Sequence, residues 1–226
     1  MRADITSIPI SEVFEPKDGC TICRLHAILE ERMASYITGP AMMEPDIRQE
    51  TNRLGFCHGH YRKLLAQRKR LSVGLILESH LKELEKNAFT TSLTGKLKGM
   101  QAKTKEDCFV CQQLDTSMNQ LISNTCHLWA REKDFRALYA EQPYFCLPHG
   151  RMLVNTALSV LPKKLQPDFQ QITAERTRQY LQTLQEDVSH FCKMFDYRSD
   201  KSEENWGNAK DSIERAIAFL TAEEIE

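Results

Sequence analysis

The sequence predicts an all-α protein: two tandem zinc-stabilised helical repeats, each with a long C-terminal helix, followed by one further C-terminal helix. Three observations predict it. Apolar residues recur at three- and four-residue steps through most of the chain, the period of one helix face. No segment alternates with a period of two between turn residues, and 9 Gly and 8 Pro in 226 residues are sparse punctuation for an all-β chain. Two cysteine–histidine motifs each occur twice, at matched spacing.

The motifs order the elements. Cys20 and Cys23 form CxxC, and Cys108 and Cys111 form a second one 88 residues later (108 − 20). Cys57 and His60 form CxxH within FCHGH; Cys146 and His149 form CxxH within FCLPH, 89 residues later (146 − 57). Phe56 and Phe145 precede the third cysteine of each half, and Arg62 and Arg151 follow each histidine by two. After each CxxC comes a helical apolar stripe, Leu25–Leu29–Met33–Ile37 and Leu114–Met118–Leu121–Ile122. Short charged helices are expected around residues 47–54 and 134–139, with further helix after each CxxH, over 61–68 and 151–158. A longer helix closes each half. The first carries Val73, Leu77, Leu81, Leu84 and Ala88; the second, after Pro162 and Pro167, carries Tyr180, Leu184, Val188, Phe191 and Phe195. Residues 91–107, polar and Lys-rich with Gly95 and Gly99, read as a helix end and linker. Residues 198–205 read as loose and charged. A final amphipathic helix places Trp206, Ile213, Ile217 and Leu220 on or near one face. The expected organisation is therefore 1–98 and 99–198 as the two repeats, and 199–226 as charged linker and terminal helix.

Composition narrows the function. An apolar fraction of 41% and a charged fraction of 27% exclude global disorder. With 30 Lys+Arg against 31 Asp+Glu there is no overall basic footprint for nucleic acid. The N-terminus MRADITSIPISEVFEP has acids and no apolar run, unlike a signal peptide. No stretch approaches the roughly 20 apolar residues that span a bilayer. A cytoplasmic protein without a membrane partner is expected, and clustered cysteines in a reducing compartment point to metal or redox chemistry rather than disulfides.

The ligand chemistry is that of structural zinc. Zinc takes four ligands in a tetrahedron and favours thiolate and imidazole; closed four-ligand sites are structural, because catalytic zinc keeps a position open for water. Each half supplies two ligand pairs, and helix N-termini beside them favour thiolates. The candidate ligands are Cys20, Cys23, Cys57 and His60 for one ion, and Cys108, Cys111, Cys146 and His149 for the other, giving two zinc per chain. Three thiolates and one Zn²⁺ sum to −1, so two sites move the formal charge from −1 to −3. An iron–sulfur cluster with one His ligand is the alternative cofactor. His58 could replace His60, but the second half has Pro148 and no matching histidine, which favours His60.

Other reactive residues have plainer readings. Cys126 and Cys192 fall on apolar faces and read as buried core thiols, a regulatory disulfide being the sharper alternative. His26, His80, His127 and His190 have no nucleophile or acid beside them in a catalytic pattern. Glu30–Glu31 and Glu83–Glu85 read as solvated helix faces. Arg62, Lys63, Arg68, Lys69 and Arg70 form one basic run, extendable by Lys96, Lys98, Lys103 and Lys105. It could hold phosphates, though an exposed helical face is the simpler reading.

At the level of CTIC…FCHGH and CFVC…FCLPH, the chain resembles a bacterial, clostridial-type domain-of-unknown-function family with duplicated CxxC…CxxH motifs. The resemblance covers nearly the whole chain. It implies an all-helical cytoplasmic protein and supplies no catalytic residues. A transporter-component label carried by some members finds no support here, in the absence of an export signal or a membrane span.

The expectation is a non-enzymatic, zinc-binding interaction or scaffold module that binds a protein partner or itself. The alternatives are a nucleic-acid-binding regulator using the basic helix after His60, and a thiol-based redox or zinc-release sensor.

Overall fold

The computed structural model describes residues 10–88, 107–196 and 202–223. Its elements are helices: α1 (Ile10–Phe14), α2 (Thr21–Ile37), a 3-10 turn (Pro40–Met43), α3 (Pro45–Leu54), α4 (His58–Ala66), α5 (Arg70–Ala88), α6 (Phe109–Arg131), α7 (Lys133–Ala140), α8 (Leu147–Val160), α9 (Gln166–Met194), α10 (Glu203–Trp206), a second 3-10 turn (Gly207–Ala209) and α11 (Ser212–Thr221). Among the described residues there is no strand, only one isolated parallel bridge between Cys20 and Tyr144. The all-α class is as the periodicity predicts.

The chain forms two compact units. One comprises His26–Met118; the other combines Ile8–Leu25 with Asn119–Glu226. This division differs from the expected consecutive segments 1–98 and 99–198. The boundary at 98/99 and all of the expected linker 91–107 except its last residue lie outside the described residues, which leave out 89–106 and 197–201. The end of the segment expected to be loose, 198–205, enters the one-turn helix Glu203–Trp206.

In the first unit, the later part of α2 buries Leu29, Met33, Ala34 and Ile37, and the start of α6 buries Val110, Leu114 and Met118. Both follow a three-to-four-residue step. Helix α3 packs on α5. It ends at Gly55, whose φ of +66° lies where only glycine is unstrained. A polar seam joins α3 to α5. His80 Nδ1 donates to the Asn52 carbonyl at 2.6 Å, Ser79 Oγ donates to Asn52 Oδ1 at 2.8 Å, and Arg48 Nη2 donates to the Leu75 carbonyl at 2.9 Å. This seam rotates α5 relative to the expected stripe. Val73, Ile76 and His80 are buried, whereas Leu81 is 60% exposed and Leu77 and Leu84 are half-buried. The Ala88 side chain is outside the described residues.

The second unit is built on aromatic packing. Phe14 meets Phe135 at 5.0 Å between ring centroids, Tyr139 stacks on Phe145 at 4.8 Å, and Trp129 meets Phe169 edge-on at 5.1 Å. Tyr139 is fully buried and its hydroxyl pairs with Thr173 Oγ1 at 2.7 Å. Fully buried Gln142 straps the distant N-terminal segment to this core. Its Nε2 donates to the Phe14 carbonyl at 2.7 Å, and its Oε1 accepts from the Thr21 hydroxyl. Buried amides are tolerated when paired in this way.

Two amphipathic expectations need correction here. Of the stripe expected on α9, only Leu184 is buried. Tyr180 is half-buried and stacks on Tyr144 at 3.6 Å, and Phe195 is 65% exposed. On α11, Ile213, Ile217 and Leu220 share one face as expected, but that face turns outward while Ser212 and Phe219 are buried, and Trp206 belongs to α10 rather than to the final helix. The ring of Phe219, set against Tyr144 and Tyr180, fixes which side of α11 turns in.

Candidate metal centres

All four cysteine motifs sit at helix N-termini, in the same register. The carbonyls of Cys20, Cys57, Cys108 and Cys146 accept from the N–H groups of Arg24, Tyr61, Gln112 and Gly150, at 2.8 to 3.1 Å. Each first cysteine is therefore the residue that opens a helix, and the second ligand lies three positions on, in the first turn. That spacing puts both side chains at the N-terminal end, where unsatisfied N–H groups and the helix dipole favour thiolate.

The eight residues gather into two Cys3His clusters, whose donor atoms lie within 4.8 Å of one another in each. The pairing differs from the expected one. Cys20 and Cys23 join Cys146 and His149, and Cys57 and His60 join Cys108 and Cys111. Each CxxC thus meets the CxxH of the opposite half. The reason is the helix that follows each CxxC. Helix α2 has 17 residues and carries the chain about 25 Å, while the 10-residue α3 spans only about 15 Å. Helix α6 has 23 residues, about 34 Å, against 8 residues and about 12 Å for α7. The chain does not regain its starting point before the next CxxH.

In the first unit, His60 Nδ1 lies 3.2 Å from the sulfurs of Cys57 and Cys108 and 3.4 Å from Cys111; Cys57 and Cys111 sulfurs are 4.0 Å apart. In the second, His149 Nδ1 lies 3.1 Å from Cys146, 3.3 Å from Cys23 and 3.9 Å from Cys20; Cys23 and Cys146 sulfurs are 3.6 Å apart. A tetrahedral zinc with ordinary bond lengths implies S···S edges of about 3.8 Å and S···N edges of about 3.5 Å. The donor sets fit one ion each. The same kind of backbone tie flanks each cluster: Phe109 N donates to the Gly55 carbonyl at 3.0 Å in one unit, and Cys20 bridges Tyr144 in the other.

The thiols divide in the way crowded sulfurs must. Burial raises Cys108, but the His60 imidazole and the backbone at Cys111 and Cys57 overcome this and bring it to about 6. Burial and the Cys108 charge push Cys111 up. In the other cluster, hydrogen bonds from the Cys146 and Cys23 thiols hold Cys20 well below the usual thiol range. Its neighbours go the other way, Cys146 to about 12 through its bond to Cys20, and Cys23 upward through Cys146 and Cys20. One sulfur in each cluster ionises readily, and adding further negative charge beside it requires a cation.

The first cluster has a further member that the sequence reading missed. Glu30 Oε1 lies 3.1 Å from His60 Nε2, and Lys63 Nζ lies 2.5 Å from Glu30 Oε2. Glu30 was expected on a solvated face, yet its side chain is 13% exposed. Burial opposes its ionisation, but His60 and Lys63 outweigh this and hold the carboxyl at about 2. Burial likewise lowers His60, while Cys108 and Glu30 raise it to about 10. The available signal was its place beside the buried Leu29 and Ala34 in α2, which no motif marks.

The remaining candidates fall outside the clusters. His58 is exposed. Cys126 is fully buried, as expected of a core thiol, and burial raises it to about 12. Cys192 is exposed, contrary to expectation, because the α9 face it occupies does not turn inward. Both are free thiols. His80 is taken up by the α3–α5 seam, and His190 Nε2 pairs with the Asn205 carbonyl at 2.6 Å. Of the basic run, Lys63 is engaged by Glu30; Arg68, Lys69 and Arg70 are exposed at the α4–α5 turn. Lys96, Lys98, Lys103 and Lys105 lie outside the described residues. No described helix is long and apolar enough to cross a membrane.

Fold and site together define a helical protein with two Cys3His clusters able to hold metal ions. The chain belongs to the DUF6062 family, a family of unknown function, whose model matches residues 1–226. No curated protein and no solved structure is significantly similar to it.

Proposed function

We propose that the protein is a non-enzymatic, cytoplasmic helical module whose shape is set by two structural zinc ions, and that it works by binding a protein partner or a second copy of itself. The observation that carries the zinc reading is the donor geometry. Four protein ligands converge at tetrahedral edge lengths in each cluster. Sulfurs only about 4 Å apart suit a single ion better than a multi-iron core. Each ion needs all three sulfurs of its site as thiolates and displaces the protons they still hold, and the binding contributes on the order of 10 kcal/mol to folding. A closed ligand set leaves no position for substrate or water, which supports a structural rather than catalytic role.

The interaction role draws on α11. Ile213, Ile217 and Leu220 repeat at helical spacing and are 38%, 38% and 54% exposed. An outward apolar stripe of this kind is commoner at association surfaces than on isolated monomers.

Native mass spectrometry of the full chain tests the metal, with two zinc ions per chain expected. A folded protein free of metal would refute the zinc reading. For the interaction role, the wild type should self-associate or retain one partner at fixed stoichiometry, and I217E/L220E should lose that association while keeping both ions. A wild type that stays monomeric and captures nothing that the variant does not would refute it.

A further inference from the structure

We infer that Glu30 is a positioning residue of the first unit's metal centre. Its carboxylate holds the His60 ring with Nδ1 toward the three sulfurs, and Lys63 holds the carboxylate in turn. The inference rests on the zinc reading and adds to it a difference between the two sites.

The geometry uses both ring nitrogens of His60. Nδ1 faces Cys57, Cys108 and Cys111 at 3.2 to 3.4 Å, and Nε2 faces Glu30 Oε1 at 3.1 Å. A nitrogen that binds metal must offer its lone pair, so the proton resides on Nε2, where the carboxylate accepts it. The bond therefore selects the tautomer, fixes the ring plane and makes Nδ1 a stronger donor. His60 is 10% exposed at its side chain and Glu30 13%, so water competes little for either. A buried carboxylate beside three thiolates is repulsive by itself. Lys63, one turn after His60 on α4 and 2.5 Å from Glu30 Oε2, supplies the opposing charge while remaining 49% exposed.

The arrangement joins three helices at one point. Glu30 comes from α2, His60 and Lys63 from α4, and Cys108 and Cys111 from the start of α6. The other CxxC does not repeat it in sequence: seven residues after Cys23 stands Glu30, and seven after Cys111 stands Met118. Loss of the carboxylate should therefore weaken one ion and spare the other.

The test is stepwise competition of the zinc-loaded full chain against a chromophoric chelator, with nitrogen-15 NMR of labelled histidine. In E30A, one ion should bind about 10- to 100-fold more weakly, as when such outer partners are removed elsewhere. The other should keep its wild-type affinity. The His60 Nε2 proton should exchange faster with solvent. E30Q, whose amide oxygen can still accept from Nε2, should fall between E30A and wild type. K63M should weaken the same ion less than E30A does. Unchanged affinity in E30A, or equal weakening of both ions, would overturn the inference while leaving the zinc reading standing. A wild type that binds no zinc would overturn both.

Discussion

The two metal centres share a donor set and a helix-terminal geometry, but the chain closes them in different ways. The first brings together residues 57 to 111, all within the single stretch His26–Met118. The second brings together residues 20 to 149, drawing its ligands from two separated stretches, Ile8–Leu25 and Asn119–Glu226. The first keeps a charged partner behind its histidine, Glu30 with Lys63. In the second unit, neutral Gln142 ties the segment that carries Cys20 and Cys23 to the core, through the Phe14 carbonyl and the Thr21 hydroxyl. Burial differs as well: Cys57 and Cys111 are half-buried in the first cluster, and only Cys23 is in the second. The same ligands therefore sit in a local, charge-backed site and in a long-range, buried one. Long-range closure ties folding of the N-terminal segment to the second ion, because loop-closure entropy must be offset before its contacts form.

The largest expected effect is on the pairing itself. C20S/C146S removes two ligands from one cluster and should leave one zinc per chain. C20S/C57S damages both clusters and should leave none firmly bound. If ligands came from the same half, these two outcomes would be exchanged, so metal content of the two variants decides the pairing. Each lost ion should also remove on the order of 10 kcal/mol from its own unit, seen in hydrogen exchange as loss of protection over 10–25 and α7–α9 for the second site.

The polar straps should show smaller, separate effects. Q142A leaves the Phe14 carbonyl and the Thr21 hydroxyl without their partner, and should cost about 1–3 kcal/mol in the second unit. H80A should cost a similar amount in the first, by freeing the Asn52 carbonyl and leaving a cavity between α3 and α5. Denaturant unfolding followed by unit-specific probes measures both, and a loss shared equally by the two units would contradict their separation. Y139F removes the bond to Thr173 but keeps the ring packing, and should cost about 1 kcal/mol. I217E, on the outward side of α11, should change stability by less than about 0.5 kcal/mol. A large loss there would mean that the stripe is buried after all.

Much of this was legible in the sequence because it is local. The helices after each CxxC and CxxH follow from periodicity, and their starts follow from the motif, since a ligand pair three apart matches the first turn of a helix. The stripes Leu25–Ile37 and Leu114–Ile122 are buried as the period requires. His60 could be chosen over His58 by comparing the two halves. Where expectation failed, the missing quantity was rotation or distance. On α5 and α11 the apolar pattern left more than one possible buried face. His80 and Phe219 decided it through contacts with Asn52 and with Tyr144 and Tyr180. Glu30 escaped notice because one acid beside an apolar stripe looks like any solvated helix edge.

The sequence by itself determined which residues can act as ligands and where each pair sits on its helix, because those are properties of short segments. It determined the helical class for the same reason. Only the tertiary structure decided which CxxC meets which CxxH. That depends on where helices of about 25 and 34 Å deliver the chain, a sum over whole elements that matched spacing between motifs does not reveal.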